Sequence, residues 1–250
     1  MEKAEIKLGQ IEKKKVMVIF PHPDDEVFMA GGLVQRMVSE SWEVEVISLT
    51  QGGRGKNHRN GNKGEKLKQI RKVEFELAMI ELGVNKYQIW DFADGKLRDI
   101  GLFEGIRGEW KRKLKEEVRK FKPGLVVSYG PTGVTGHPDH IVLGEWLFEF
   151  LSKEMPETGL WWPVWPGILR QFMVHSELRG MREKERVMIG LSKVEMRQKC
   201  RAIKSYESQL GNFSWWQKWL IEKVVCWREY FAVADYGRQY QFKYVKFKID

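Results

Sequence analysis

Between Lys15 and Phe150, short apolar runs alternate with longer amphipathic stretches, and this alternation limits the fold more than any other feature of the chain. Lys15–Phe20 (KVMVIF) is apolar, ends at Pro21 and reads as a buried strand. Residues 27–40 read as a helix with Gly31 and Gly32 near its start. Glu43–Thr50 (EVEVISLT) alternates and is β-branched, which predicts a second strand. Residues 51–64 are rich in Gly, Asn, Lys and Arg and read as a loop. Glu65–Leu82 has helical periodicity through Ile70, Val73, Leu77, Met79 and Ile80, and Gly83 stands where a C-cap would. Residues 88–92 predict a third strand, and 103–121 an amphipathic helix stopped by Pro123-Gly124. Residues 125–129 predict a fourth buried strand, and 141–150 another helix.

Strand and helix in alternation mean βαβ units, and right-handed crossovers then require a mainly parallel sheet with helices on both faces. The fold class is therefore α/β and Rossmann-like, and such sheets keep their ligand site beyond the carboxyl ends of the strands. No GxGxxG follows the first strand, so a dinucleotide site is not indicated. The last hundred residues predict a smaller α+β portion: strands at 168–174, 231–234 and 241–248, and a helix at 191–209. With no internal repeat and 250 residues, residues 1–250 read as a single domain, its core at 15–150 and residues 151–250 completing it.

Composition narrows the function classes. Lys and Arg total 43 against 34 Asp and Glu, a net charge of +9. That balance raises nucleic acid or an anionic membrane as partners. The basic residues are spread along the chain, however, and the densest run, 111–120, mixes signs as a solvated helix face does. No zinc-finger, RRM or KH pattern occurs, so nucleic acid is not the expected partner. Cys200 and Cys226 lack CxxC spacing and read as two buried thiols in a reducing compartment. The charged N-terminus lacks the apolar stretch of a signal peptide, and no run reaches the ~18 apolar residues of a membrane span. The expected location is the cytoplasm. Trp161, Trp162 and Trp165, with Trp215 and Trp216, are unusually dense. Core packing or a homo-oligomer interface accounts for them, and stacking on sugar rings is the sharper alternative.

The chain has five histidines, and three stand in acidic groups directly after predicted strands. One group is Pro21-His22-Pro23-Asp24-Asp25-Glu26; the other is Gly136-His137-Pro138-Asp139-His140. Both fall where an open α/β sheet keeps its site. A catalytic zinc takes imidazole nitrogens and a carboxylate from three protein ligands and leaves a position for water. His22 and Asp25 are three apart, so a first helical turn points both the same way, and His140 can complete a two-His, one-carboxylate set. Asp24 then points elsewhere. Each group by itself also reads as a helix N-cap; two such groups at one end of a sheet favour ligands. His58 lies in the basic loop and reads as solvated or as part of a lid, and His175 reads as structural. Tyr129 and Thr132 precede the second group closely enough to line a pocket.

These residues resemble the LmbE-like, PIG-L-like zinc deacetylases. HPDDE followed by Gly31-Gly32 is similar to that family's first motif, and His137-Pro138-Asp139-His140 to its second. Leu49–Gly53, the RxxE pair Arg71 and Glu74, and the DxxDG run from Asp91 to Gly95 resemble intervening elements in matching order. The segment from Arg201 to Gln209 weakly resembles a later family helix. The resemblance implies zinc, with iron(II) an alternative, on His22, Asp25 and His140. It implies Asp24 as the general base for a metal-activated water, protonated His137 as the stabiliser of the oxyanion, and Asp139 as the residue that orients His137. Arg71 and Asp94 would bind substrate, although Arg71 also reads as a structural partner of Glu74. The implied activity is N-deacetylation of an N-acetylglucosamine-type conjugate, a small amino-sugar molecule, and the basic charge is compatible with an anionic aglycone. A metal-dependent amidase on another amide-linked conjugate and a non-catalytic basic binding module are the alternatives.

Overall fold

A computed structural model of the chain describes residues 2–3, 8–55, 57, 60–98, 104–165, 186–211, 214, 219, 225–240 and 242, with backbone only at 2–3, 104–107 and 186. Its elements are β1 (Glu2–Lys3), β2 (Lys15–Phe20), α1 (Asp25–Ser39), β3 (Glu43–Thr50), α2 (Glu65–Leu82), β4 (Lys86–Phe92), α3 (Glu104–Phe121), β5 (Leu125–Val127), α4 (Pro138–Glu154), β6 (Gly159–Pro163), β7 (Arg186–Gly190), α5 (Lys193–Lys204), α6 (Glu207–Leu210) and β8 (Arg228–Val233). The strand order is β1-β7-β8-β6-β5-β2-β3-β4. β3 pairs with β4, and β5 with β6, in parallel; β8 runs antiparallel to β6. The sheet is thus mixed but mostly parallel, the α/β architecture expected from the alternation. β2 is buried along five of its six residues, as a strand covered on both faces must be.

Two compact units share the chain. One is Val18–Asp94 with Met188–Glu229; the other is Met1–Met17, Gly95–Val187 and Tyr230–Asp250. In the first, α5 packs on α1 and α2. Gly32 makes room for the residue that leads into α5: a Cβ there would lie 2.4 Å from Leu191 Cδ2. Arg36 grips Glu195 through Nε and Nη2, both at 3.0 Å. Beneath them Lys199 Nζ donates to Glu229 Oε1 at 2.6 Å and to the carbonyls of Phe28 and Val225. Glu229 also accepts the N–H groups of Gly32 and Leu33 at 2.7 and 2.8 Å. Both charges are buried, and their partners offset the desolvation they cost.

In the second unit α4 carries buried Ile141, Leu143, Leu147 and Leu151. Trp161 lies 5.8 Å from Phe231 between ring centroids, and Trp162 lies 4.8 Å from Tyr240. These two tryptophans pack the core. Trp215 and Trp216 lie outside the described residues, as do His58, His175, the strand predicted at 168–174 and all but Phe242 of that predicted at 241–248.

Several expectations are corrected. Cys200 and Cys226 are not free thiols: they form a disulfide with Cα atoms 6.0 Å apart, a spacing ordinary for such a bridge. The reducing compartment inferred from them loses its basis. Among the described residues no helix is long and apolar enough to cross a membrane. The helix predicted over 191–209 is two, because Ser192 and Glu195 form a capping box that starts α5 and the chain turns at Ser205-Tyr206 before α6. β6 and β7 had no counterpart in the sequence reading, since Trp161-Trp162 beside prolines gives no period. α2 begins and ends where expected, closing at Gly83 with φ 73°. Its periodic residues are divided: Val73, Leu77 and Ile80 are exposed, whereas Met79 belongs to the buried face with Leu67, Arg71, Glu74, Phe75, Ala78 and Leu82.

Candidate active site

β2 delivers the first motif. The chain leaves the strand at Pro21, and α1 starts at Asp25, with Asp24 in the N-cap position. Asp24 makes no side-chain cap bond there. Its backbone sits at φ 95°, ψ −30°, a region non-glycine residues rarely occupy. The carboxylate turns to the Arg71 guanidinium, 3.1 Å from Nη2 to Oδ2. Burial pushes Asp24 up, Arg71 and His22 pull it down and Asp25 and Glu74 add to the rise, leaving it at about 7. A simple N-cap would use that oxygen on the helix; here it is withheld.

Asp25 Oδ2 accepts the His22 backbone N–H at 3.2 Å and lies 3.4 Å from His22 Nδ1. His22 Nε2 lies 3.1 Å from Asp94 Oδ1, in the loop after β4. Asp94 Oδ2 in turn accepts the Arg54 N–H at 2.8 Å. Burial raises Asp94, but the hydrogen bond and charge of His22 outweigh it, with help from Arg54 and Arg71, and hold it down to about 2. One unit thus brings together His22, Asp24, Asp25, Arg71 and Asp94.

Arg71 is buried, and its fork is occupied: Nη2 donates to the Pro23 carbonyl and Nη1 to the Gly52 carbonyl at 3.2 Å. Gly52 has φ 65°, and a Cβ on it would come 2.2 Å from Arg71 Nη1, so this close approach needs glycine. Glu74 accepts the backbone N–H of Ser208 at 2.7 Å and its hydroxyl at 2.6 Å.

β5 leads to the second motif in the other unit. His137 is the N-cap of α4, its Nδ1 accepting the Asp139 N–H at 3.2 Å. The Asp139 carboxylate accepts the N–H groups of Gly95 at 2.7 Å and Leu97 at 3.1 Å, and so pins the loop after β4. His140 is stacked on Tyr129, centroids 3.9 Å apart and planes 6° off parallel, and its Nδ1 lies 2.9 Å from the Gly133 carbonyl. A carbonyl accepts only, so Nδ1 carries the proton and Nε2 is left as a lone-pair donor, the arrangement metal-ligating histidines use. Thr132 Oγ1 accepts the Val134 N–H at 3.3 Å.

Sequence reasoning did not find Glu26 or Tyr206. The Tyr206 hydroxyl donates to Glu26 Oε1 across 180 positions of sequence, and no local pattern announces such a pair. Burial raises Glu26 to about 8, against the pull of the Tyr206 hydroxyl.

Solved structures share this architecture. An N,N'-diacetylchitobiose deacetylase from Pyrococcus horikoshii superposes with a TM-score of 0.66 at 20% identity, covering 95% of each chain. A 4-carboxy-2-hydroxymuconate hydratase from Pseudomonas putida superposes at 0.64 with 17% identity, covering 94% of this chain and 99% of its own. One fold therefore serves more than one reaction. The family itself is fixed by sequence: residues 17–151 match the PIG-L, GlcNAc-PI de-N-acetylase, family model, and the chain belongs to that family. A Segniliparus rotundus 1D-myo-inositol 2-acetamido-2-deoxy-alpha-D-glucopyranoside deacetylase is 27% identical over 63% of this chain and 59% of its own length. A Bacillus anthracis protein named probable N-acetyl-alpha-D-glucosaminyl L-malate deacetylase 2 is 31% identical over 58% of this chain and 62% of its own. Matches to these two relatives span about three fifths of their length.

Proposed function

We propose that the protein is a metal-dependent N-deacetylase that hydrolyses the acetamide of an N-acetylglucosamine-type conjugate, with Asp24 as general base. The observation that carries this reading is the Asp24 carboxylate, withheld from capping α1, held by Arg71 and set beside His22 and Asp25.

The donor chemistry fits a divalent ion. Imidazole nitrogens and a carboxylate are the donors that zinc and iron(II) take. In our assignment His22, Asp25 and His140 hold the ion, zinc in the first instance and iron(II) as the alternative. His140 supports it because its Nδ1 faces the Gly133 carbonyl, the tautomer that makes Nε2 the ligating nitrogen. Bound there, such an ion supplies Lewis acidity, which lowers the pKa of water from ~15.7 toward ~7 and polarises a carbonyl.

The chain's own residues do the rest. Asp24, poised at about 7, takes the proton of the attacking water, as a base matched to neutral pH does best. Arg71 fixes the carboxylate's direction. Because His137 Nδ1 accepts the Asp139 N–H, a neutral His137 carries its proton on Nε2 and can donate it to the developing oxyanion, a contribution of ~10²–10³ in rate. This bond supports neutral rather than protonated His137. Asp24 then returns its proton to the departing amine, and acetate and a free amino sugar leave. Asp139 acts by pinning the Gly95–Leu97 loop through its carboxylate and meets His137 through its backbone N–H. Asp94 has one face on His22 and would reach substrate hydroxyls from the same loop.

The relatives act on inositol- and malate-linked N-acetylglucosamine by name, and the net charge of +9 suits an anionic aglycone. The test is acetate release from a panel of N-acetylglucosamine conjugates bearing inositol, malate, phosphate or no aglycone, beside N-propionyl and N-benzoyl analogues. Acetate from at least one conjugate, lost in Asp24→Asn, supports the reading. Turnover of only non-acetyl amides, or of none, overturns it.

A further inference from the structure

We infer that Tyr206, acting through Glu26, is a positioning residue for Asp24, so that the α5–α6 corner sets the geometry of the proposed base. The inference rests on the reading of Asp24 given above. It starts from a backbone problem: Asp24 stands at φ 95° without being glycine, and such a conformation persists only where its surroundings over-determine it. Its carbonyl is taken by the Phe28 N–H in the first turn of α1, at 3.2 Å. Its own N–H donates to Glu26 Oε2 at 3.1 Å. The orientation of the Asp24 peptide therefore depends on where the Glu26 carboxyl is held.

That carboxyl is held from far away in the sequence. The Tyr206 hydroxyl donates to Glu26 Oε1. Glu26 and Tyr206 are 1% and 0% exposed, so water cannot substitute for a lost partner. Tyr206 can reach inward only because α5 stops at Lys204 and the chain turns before α6. Two residues on, Ser208 gives both its N–H and its hydroxyl to Glu74, one turn along α2 from Arg71. A single corner thus fixes the residue that orients the Asp24 backbone and the helix that carries the Asp24 counter-ion. Without the Tyr206 hydroxyl, Glu26 is free to rotate and Asp24 loses the acceptor that keeps its carboxylate aimed.

Three variants and two readouts test this. In Tyr206→Phe and Glu26→Ala, kcat should fall by about 10-fold or more with KM and bound metal unchanged, and the Asp24 amide proton should exchange at least about 10-fold faster. Glu26→Gln should retain most of kcat and the amide protection. The Gln carbonyl can accept the Asp24 N–H, and its amide can donate to a reversed Tyr206 hydroxyl. Rates are compared well below each variant's unfolding midpoint, so loss of fold does not masquerade as loss of position. The inference is overturned if Tyr206→Phe keeps wild-type kcat and Asp24 protection, or if Glu26→Gln is as damaged as Glu26→Ala. Faster exchange at Asp24 in a protein whose wild type releases no acetate would leave the positioning role standing and overturn the deacetylase reading instead.

Discussion

Asp24 and Arg71 concentrate the chemistry at the scale of single residues. A half-buried carboxylate whose partner is a buried guanidinium, in a backbone region few residues adopt, is arranged for a task that stability alone does not require. Asp24→Asn keeps size and shape but cannot take a proton, so kcat should fall by ~10²–10⁴, while metal content measured on the same samples stays at the wild-type value. Gly52→Ala tests the support of Arg71. Its methyl would collide with Nη1 at 2.2 Å, on a residue at φ 65°. Urea unfolding should show a loss of about 1–3 kcal/mol, and kcat should drop because the guanidinium is displaced from Asp24; an Ala variant with unchanged stability and rate would contradict this. Much of this scale is legible in sequence. His22, Asp24 and Asp25 are neighbours, and their spacing states which can share a direction. What spacing does not state is the partner. Arg71 has Glu74 three positions on, yet its bonds go to Pro23, Gly52 and Asp24, and Glu74 turns to Ser208.

Elements of the first 150 residues follow from local rules. β2 and β3 are continuous or alternating apolar runs, and α2 ends at a glycine, so their bounds agree with the pattern residue for residue. Where two signals compete the pattern misleads. α2 is apolar on two sides, and its more regular stripe, Val73, Leu77 and Ile80, is the exposed one, because the buried side admits Arg71 and Glu74 for the site. The disulfide was hidden for a different reason. Cys200 on α5 and Cys226 before β8 are 26 residues apart with no motif between them, and only the packed unit brings them together. Closing a loop of that length should contribute about 3–4 kcal/mol. The expected result is no free thiol in the native protein by mass-tagging, and an unfolding midpoint lowered by reductant or by Cys200→Ser with Cys226→Ser. Two reactive thiols and an unmoved midpoint would contradict it. Lys199→Met should cost about 3–5 kcal/mol in the same unfolding assay, since it strands Glu229 as an unpaired buried charge.

The whole molecule is interleaved in sequence: residues 188–229 complete the unit that begins at Val18, and residues from Tyr230 on complete the other. The family match at 17–151 therefore contains both motifs but not the segment that braces the first of them. A chain truncated after residue 185 should lose cooperative unfolding and bind metal poorly, checked by circular dichroism and metal analysis; a truncated chain that unfolds sharply would contradict the division. As proposed above, two motifs about 115 positions apart in sequence supply one metal centre with Asp24 as its base. This is tested most directly by measuring metal per chain and acetate release together, in wild type, Asp24→Asn, His22→Ala and His140→Ala. The expected result is about one divalent ion per chain in the wild type and in Asp24→Asn, turnover in the wild type alone, and loss of the ion in both histidine variants. Full metal content in either histidine variant, or undiminished acetate release by Asp24→Asn, would contradict it.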